Sequence, residues 1–191
     1  MASIQQEFLE LATAPVDALS HFSESDAESR GAIHTRAEVA EFILDLVGWT
    51  GDTDGGAARL LEPSAGEGDF LVPAARRVLT RLRPGEIGPA GKLIRAVEVN
   101  TASLATCRTR LQEVFREFGW GVPAARAVLD HWLVQADFLT TPLAGTFTHI
   151  VGNPPYLRLE ALPKSLLKLY RSRWRSLYDR ADLYVAFIER S

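Results

Sequence analysis

The chain predicts an α/β fold with a doubly wound, mostly parallel sheet, and three observations carry that expectation. Short apolar runs of strand length alternate with segments of helical periodicity. Glycines 66 and 68 stand where the first of these runs hands over to a helix. Each run is closed by polar or acidic residues, and in open α/β sheets the carboxyl ends of the strands are the edge where ligands bind.

The elements follow in order. Residues 4–18 are expected to form a lead-in helix and the polar stretch 23–29 a linker, so that residues 1–30 precede a main domain over residues 31–191. Thr35 and Glu38 have the spacing of a capping box. Val39, Phe42, Ile43, Leu46 and Val47 then recur at helical spacing, and Gly48 is placed to end that helix. After a loop over residues 50–56, residues 58–61 read as a buried strand. The turn Glu62-Pro63-Ser64-Ala65-Gly66-Glu67-Gly68-Asp69-Phe70 follows, then a helix to about Leu82. Pro84, Gly85, Gly88, Pro89 and Gly91 mark residues 83–91 as a loop. Residues 93–97 form the next strand, closed by Glu98, and a helix over about 103–118 is ended by Gly119. A third strand, 132–134, stops at Asp137-Phe138, and a fourth, 147–151, stops at Asn153.

Composition excludes several classes. With 47% hydrophobic and 24% charged residues, 191 residues suffice for one ordinary globular core. No apolar stretch reaches membrane-spanning length, and Met1-Ala2-Ser3-Ile4-Gln5-Gln6-Glu7 lacks the basic-then-apolar pattern of a signal peptide. The single cysteine, Cys107, rules out an internal disulfide framework and a cysteine-clustered zinc site, which suits a reducing cytoplasm. The net charge of −3 does not advertise nucleic-acid binding. Yet Arg158, Lys164, Lys168, Arg171, Arg173, Arg175 and Arg180 face only Glu160 and Asp179 in the same stretch. That run reads equally as a solvated helical face or as a set of phosphate contacts.

Chemistry concentrates at the strand ends. Glu62, Glu67 and Asp69 around Gly66 and Gly68 disfavour a polyphosphate and favour a ligand with an amino group or a positive centre. S-adenosylmethionine has both, although a Gly-x-Gly turn alone also marks a tight strand-to-helix connection. Glu98 is placed to accept from ribose hydroxyls, and Asp137 from an adenine amino group with Phe138 against the ring. Taken singly, each carboxylate is more commonly a strand-end cap or an exposed acid; together they outline an adenosine pocket. In Asn153-Pro154-Pro155-Tyr156 a rigid turn offers an amide oxygen, a proline carbonyl and a flat ring around one planar amino group. Two acceptors on such an amine would pull its nitrogen toward tetrahedral geometry and free its lone pair for attack on a methyl group. Tyr156 could stack on a base that has left the duplex.

In this order the motifs resemble those of the amino-type DNA adenine methyltransferases, in the class whose target-recognition domain follows the catalytic domain. The closest likeness is to the methylase modules of restriction–modification and phage-exclusion systems. Gly31-Ala32-Ile33-His34-Thr35-Arg36 resembles the cofactor segment before the first helix, residues 61–70 the glycine loop, and Val97-Glu98 the ribose-binding acid. Asp137-Phe138 resembles the adenine-contacting pair, Asn153-Pro154-Pro155-Tyr156 the catalytic tetrapeptide, and Asp182 to Arg190 the helix after it. Arg36 stands where the family often has proline, and the spacing from Glu62 to Glu98 is generous.

The resemblance implies a Rossmann-like methyltransferase fold that stops before its last strands, leaving a sheet edge and an apolar face uncovered. It implies S-adenosylmethionine held by Gly31, Thr35, Glu62, Pro63, Ala65, Gly66, Gly68, Phe70, Glu98, Asp137 and Phe138, with no metal. Catalysis would fall to Asn153, Pro154 and Tyr156. The partners implied are double-stranded DNA with a flipped adenine and a further recognition domain or subunit. The alternatives are an inactive, truncated binding subunit, or a methyltransferase of RNA adenine or of protein glutamine, since the tetrapeptide occurs in those enzymes too.

Overall fold

The computed structural model describes residues 17–26, 30–51 and 58–191. Most of the expected 4–18 helix, the end of the 23–29 linker and most of the 50–56 loop therefore lie outside the described residues. The chain divides into two compact units, one of His34–Asn153 and one of Met1–Ile33 with Pro154–Ser191.

Residues 17–23, helix α1, belong to the second unit, so the helix runs into the start of the expected linker. The first unit holds α2 (Ala37–Leu46), β1 (Leu60–Glu62), α3 (Leu71–Leu79), α4 (Ile87–Leu93), β2 (Ile94–Glu98), α5 (Thr101–Glu117), α6 (Val122–Trp132), β3 (Leu133–Gln135) and β4 (His149–Ile150). Its strands are all parallel, in the order β3-β2-β1-β4. Two helices fill each crossover from β1 to β2 and from β2 to β3, and the chain then returns to set β4 on the other side of β1. Strand order therefore reverses between β1 and β4, the switch point at which α/β sheets open a crevice. Every residue of β1 is buried, as expected of a central parallel strand. This is the Rossmann-like architecture expected.

Four local expectations differ from the structure. Thr35 does not cap α2. Arg36 holds the N-cap position and makes no side-chain cap bond. Gly48 does end the helix, at φ 76°, and the Trp49 N–H returns to the Leu44 carbonyl at 2.9 Å. The apolar stripe that announces α2 faces outward, with Val39, Phe42, Leu46 and Val47 exposed and Ala40 and Leu44 buried. Arg77 on α3 sets this rotation, because its guanidinium takes the Trp49 carbonyl, the Glu41 carbonyl and carboxylate, and the Asp45 carboxylate.

The 83–91 stretch is not wholly loop. Helix α4 begins at Ile87, and Pro89 sits in its first turn, where a missing N–H costs nothing. Gly91 marks close packing, since a Cβ there would lie 3.1 Å from His131 on α6. Helix α6 was not anticipated, although Ala125, Val128, Leu129 and Trp132 recur at helical spacing behind Pro123 near its start. Trp132 consequently ends a helix and does not open β3, and its buried indole N–H donates to the Ala90 carbonyl at 2.9 Å. Finally, β4 is shorter than expected, and β1 takes in Glu62.

The second unit buries an apolar set, Leu159, Leu162, Leu166, Tyr170, Leu183 and Phe187. A 3-10 turn (Leu159–Ala161), α7 (Lys164–Arg173) and α8 (Tyr184–Arg190) contribute to it, and a bridge pairs Arg158 with Asp182. Among the described residues no helix is long and apolar enough to cross a membrane.

Candidate active site

The turn after β1 is braced by its neighbour strand. The Ala65 N–H donates to the Val97 carbonyl at 2.9 Å, and the Gly66 N–H to Glu98 Oε2 at 2.8 Å. Gly66 and Gly68 have φ of 51° and 90°, in the left-handed region that side chains avoid. At Gly68 there is a second constraint: a Cβ would lie 2.8 Å from the Cys107 sulfur on α5. Burial pushes the Cys107 thiol far up and out of reach of ionisation, so this cysteine is packing. Ala65 and Phe70 are buried in the core, with Phe70 leading into α3.

Glu62 is the unusual group of this turn. It is 1% exposed, and its Oε2 has no hydrogen-bond partner among the described residues. Burial, then the charges of Asp69 and Glu98, push its carboxyl well above the ordinary glutamate range. A buried polar oxygen left without a donor is costly, by about 1–3 kcal/mol. Asp69 behaves oppositely. Burial pushes its carboxyl up, but bonds from Arg110, the Thr35 N–H and His34 outweigh that and hold it below its usual value.

Asn153 follows β4, beside β1 across the switch point. Its backbone carbonyl accepts from Ser64 Oγ at 3.2 Å, and its side-chain Nδ2 donates to Thr35 Oγ1 at 3.2 Å. The Thr35 N–H donates to Asp69 Oδ2 at 2.9 Å, and Arg110 donates to Asp69 Oδ1 at 2.9 Å and to the Glu67 carbonyl at 2.7 Å. Gly152 lets the backbone pass close to Pro63, whose Cδ would lie 3.3 Å from an added Cβ. The glycine turn, the segment at Thr35 and the Asn153 turn are thus one bonded assembly.

The other strand ends are more self-contained. Glu98 spends one lone pair on Gly66 and another on the Asn100 N–H at 2.8 Å, and each carboxylate oxygen has a second acceptor position. Asp137 is buried and closes its own turn, accepting from the Leu139 N–H at 3.0 Å and from Thr140 Oγ1 at 2.6 Å. Phe138 is buried. In the second unit the Tyr156 N–H donates to the Gly31 carbonyl at 2.9 Å, and Gly31, at φ 68°, packs so closely on the Tyr156 carbonyl that no Cβ fits. The Tyr156 ring is 53% exposed, with its centroid 5.7 Å from that of Tyr184.

Sequence reading did not single out Asn100 or Arg110 and gave Ser64 no role of its own. Arg110 carried no local signal, because its partners Glu67 and Asp69 are more than forty positions away in the chain. The residues fit S-adenosylmethionine on one observation: a buried Glu62 oxygen with no donor among the described residues, in a turn that also carries Glu67 and Asp69, suits an ammonium or sulfonium group better than a phosphate.

Strand order and the position of these turns place the chain among Rossmann-like methyltransferase folds. Residues 100–191 match the Eco57I restriction-modification methylase family. The chain is 47% identical to the type II methyltransferase M.PaeR7I of Pseudomonas aeruginosa over 88% of its length and 30% of that protein. It is 49% identical to M.XhoI of Xanthomonas vasicola, over 85% and 31%, and 40% identical to M.BstVI of Geobacillus stearothermophilus, over 84% and 30%. The chain is therefore homologous to the type II methyltransferases of restriction–modification systems, and it spans about 30% of the length of these curated relatives.

Proposed function

We propose that this chain is the cofactor-binding and catalytic portion of a DNA adenine methyltransferase that uses S-adenosylmethionine. The observation that carries the reading is Asn153, held at the switch point beside the carboxylate-lined glycine turn by Ser64 and Thr35. Its Nδ2 donates to Thr35 Oγ1 at 3.2 Å, and Oδ1 is the amide atom able to accept from a substrate amine.

S-adenosylmethionine supplies an electrophilic methyl group on a sulfonium. Glu62 takes the positive end of the cofactor, the backbone of Ala65 to Gly68 lets it approach closely, and Glu98 accepts from its ribose. Phe138 and Asp137 bound the adenine end. Asn153 Oδ1 and the Pro154 carbonyl accept the two hydrogens of the adenine amino group. That takes its lone pair out of conjugation and aims it at the methyl carbon, so positioning and electrostatics replace a strong base. S-adenosylmethionine would supply the methyl group, one N–C bond made for one S–C bond broken, with the amine's surplus proton passing to water. Tyr156 stacks on the flipped base, whose exposure from the duplex costs a few kcal/mol. Reading of the target sequence falls to protein that the relatives have beyond the span matched here.

Three measurements test this. Titration of S-adenosylmethionine into the folded chain should show binding; none would remove the cofactor assignment. In the complete gene product, labelled methyl should pass to adenine in duplex DNA and not to RNA or a glutamine peptide. Asn153→Ala should cost on the order of 10²-fold or more in rate and spare cofactor affinity. Transfer to RNA or glutamine would select the corresponding alternative.

A further inference from the structure

We propose that Tyr184 is a positioning residue for methyl transfer: its ring holds the Tyr156 ring in the orientation that stacks on the flipped base. This rests on the function proposed above. A tyrosine on an exposed turn has two side-chain torsions to settle, and a ring left loose must be ordered as the base arrives. That ordering offsets part of the stacking. The backbone under Tyr156 is already fixed. Its N–H donates to the Gly31 carbonyl at 2.9 Å, and Gly31 lies so close to the Tyr156 carbonyl that no Cβ fits. What remains to be set is the ring. Among the described residues, the aromatic ring that meets it is that of Tyr184, with centroids 5.7 Å apart and planes inclined by 44°.

Backbone pairing puts the two rings together. Arg158 and Asp182 form an antiparallel bridge, and the Leu183 N–H donates to the Leu157 carbonyl at 2.8 Å. That register, carried to the start of α8, sets Tyr156 opposite Tyr184, and facing residues of an antiparallel pair are within side-chain reach. Tyr184 is the firmer of the two. It opens α8, which buries Ala186 and Phe187, and it is itself partly buried, whereas Tyr156 is 53% exposed. Their separation falls in the range where aromatic rings attract, and a tilted neighbour leaves open a ring surface that a parallel stack would cover. Tyr156 is thus steadied from one side and open to a base on the rest.

Other tasks for Tyr184, packing α8 or stacking on a base itself, give different results. Tyr184→Leu keeps apolar bulk for packing and removes the ring. In the complete gene product acting on unmethylated genomic DNA, it should lower kcat/KM for DNA about two- to tenfold, the factor an aromatic pair supplies, with the dissociation constant of S-adenosylmethionine unchanged. Tyr184→Phe, which keeps the ring, should restore the rate. In a Tyr156→Ala background Tyr184→Leu should add nothing, because no ring is left to hold. In the 191-residue chain, three-bond couplings at Tyr156, assigned by their loss in Tyr156→Phe, should report one dominant χ1 rotamer. Its excess should fall by about the same factor in Tyr184→Leu. Additive losses in the double variant, or a Tyr184→Phe as slow as Tyr184→Leu, overturn the inference. Averaged couplings in the wild type, or a rotamer unchanged in Tyr184→Leu, do so even if the protein transfers no methyl group. Wild-type activity in Asn153→Ala would instead remove the functional reading beneath it.

Discussion

Glu62 shows how a single residue links fold, stability and ligand. It closes β1, so the sheet buries it, and burial with Asp69 and Glu98 nearby raises its carboxyl well above the reference value of 4.5. The folded chain therefore keeps this proton to higher pH than the unfolded chain does. Between the two values the folded state binds more protons, so this contribution to stability is fully present below the unfolded value and is lost as pH rises through the folded one. Urea unfolding followed upward from about pH 4.5 should show wild-type stability declining relative to Glu62→Gln. A pH-independent difference would refute the protonated carboxyl. If a cationic ligand displaces the same proton, S-adenosylmethionine should bind more tightly as pH rises, with a buffer-dependent heat that Glu62→Gln abolishes.

At the scale of elements, α2 is the instructive case. Its apolar periodicity identifies a helix, but Arg77 chooses its rotation by gathering the Trp49 and Glu41 carbonyls and the carboxylates of Glu41 and Asp45. Phe42→Ser and Leu46→Ser should each change unfolding free energy by less than about 0.5 kcal/mol, as exposed positions do. Leu44→Ala, at a fully buried site, should cost about 2–5 kcal/mol. Chemical denaturation decides, and a large loss in Phe42→Ser would mean that the stripe is covered. Helices α4 and α6 carry the related lesson. Gly88, Pro89 and Gly91 look like punctuation, yet Pro89 falls in a first turn and Gly91 makes room for His131. The periodicity of α6, by contrast, was open to reading throughout.

At the scale of the whole molecule, the net charge of −3 conceals an uneven distribution. In the unit of Pro154–Ser191, α7 buries Leu166 and Tyr170 and exposes Lys164, Lys168 and Arg171, spaced to share one helix face. If this face contacts DNA phosphates, replacing all three with Ala should weaken DNA binding and reduce the slope of log K against log salt by up to about 2.7, at 0.9 per phosphate. Fluorescence anisotropy at several salt concentrations measures this, and an unchanged slope leaves the run a solvated face. The sheet has its own asymmetry: β1 is central, whereas β3 and β4 have no outer neighbour among the described strands.

The sequence by itself determined the alternation of strands and helices, the glycines that turn out of β1, and the placing of Glu62, Glu98, Asp137 and Asn153 at or just beyond strand ends. Those features are local, since periodicity, turn chemistry and strand termination act over a few residues. Only the tertiary structure decided which face of α2 is buried, that Glu98 spends acceptors on Gly66 and Asn100, that Glu62 Oε2 has no donor among the described residues, and that Thr35 Oγ1 accepts from Asn153 Nδ2 and does not cap a helix. The Glu98–Gly66 and Thr35–Asn153 bonds depend on pairing β1 with β2 and β4, which brings together groups 32 and 118 positions apart. Hydrogen bonds of that reach follow from the packing of the sheet and leave no trace in local sequence.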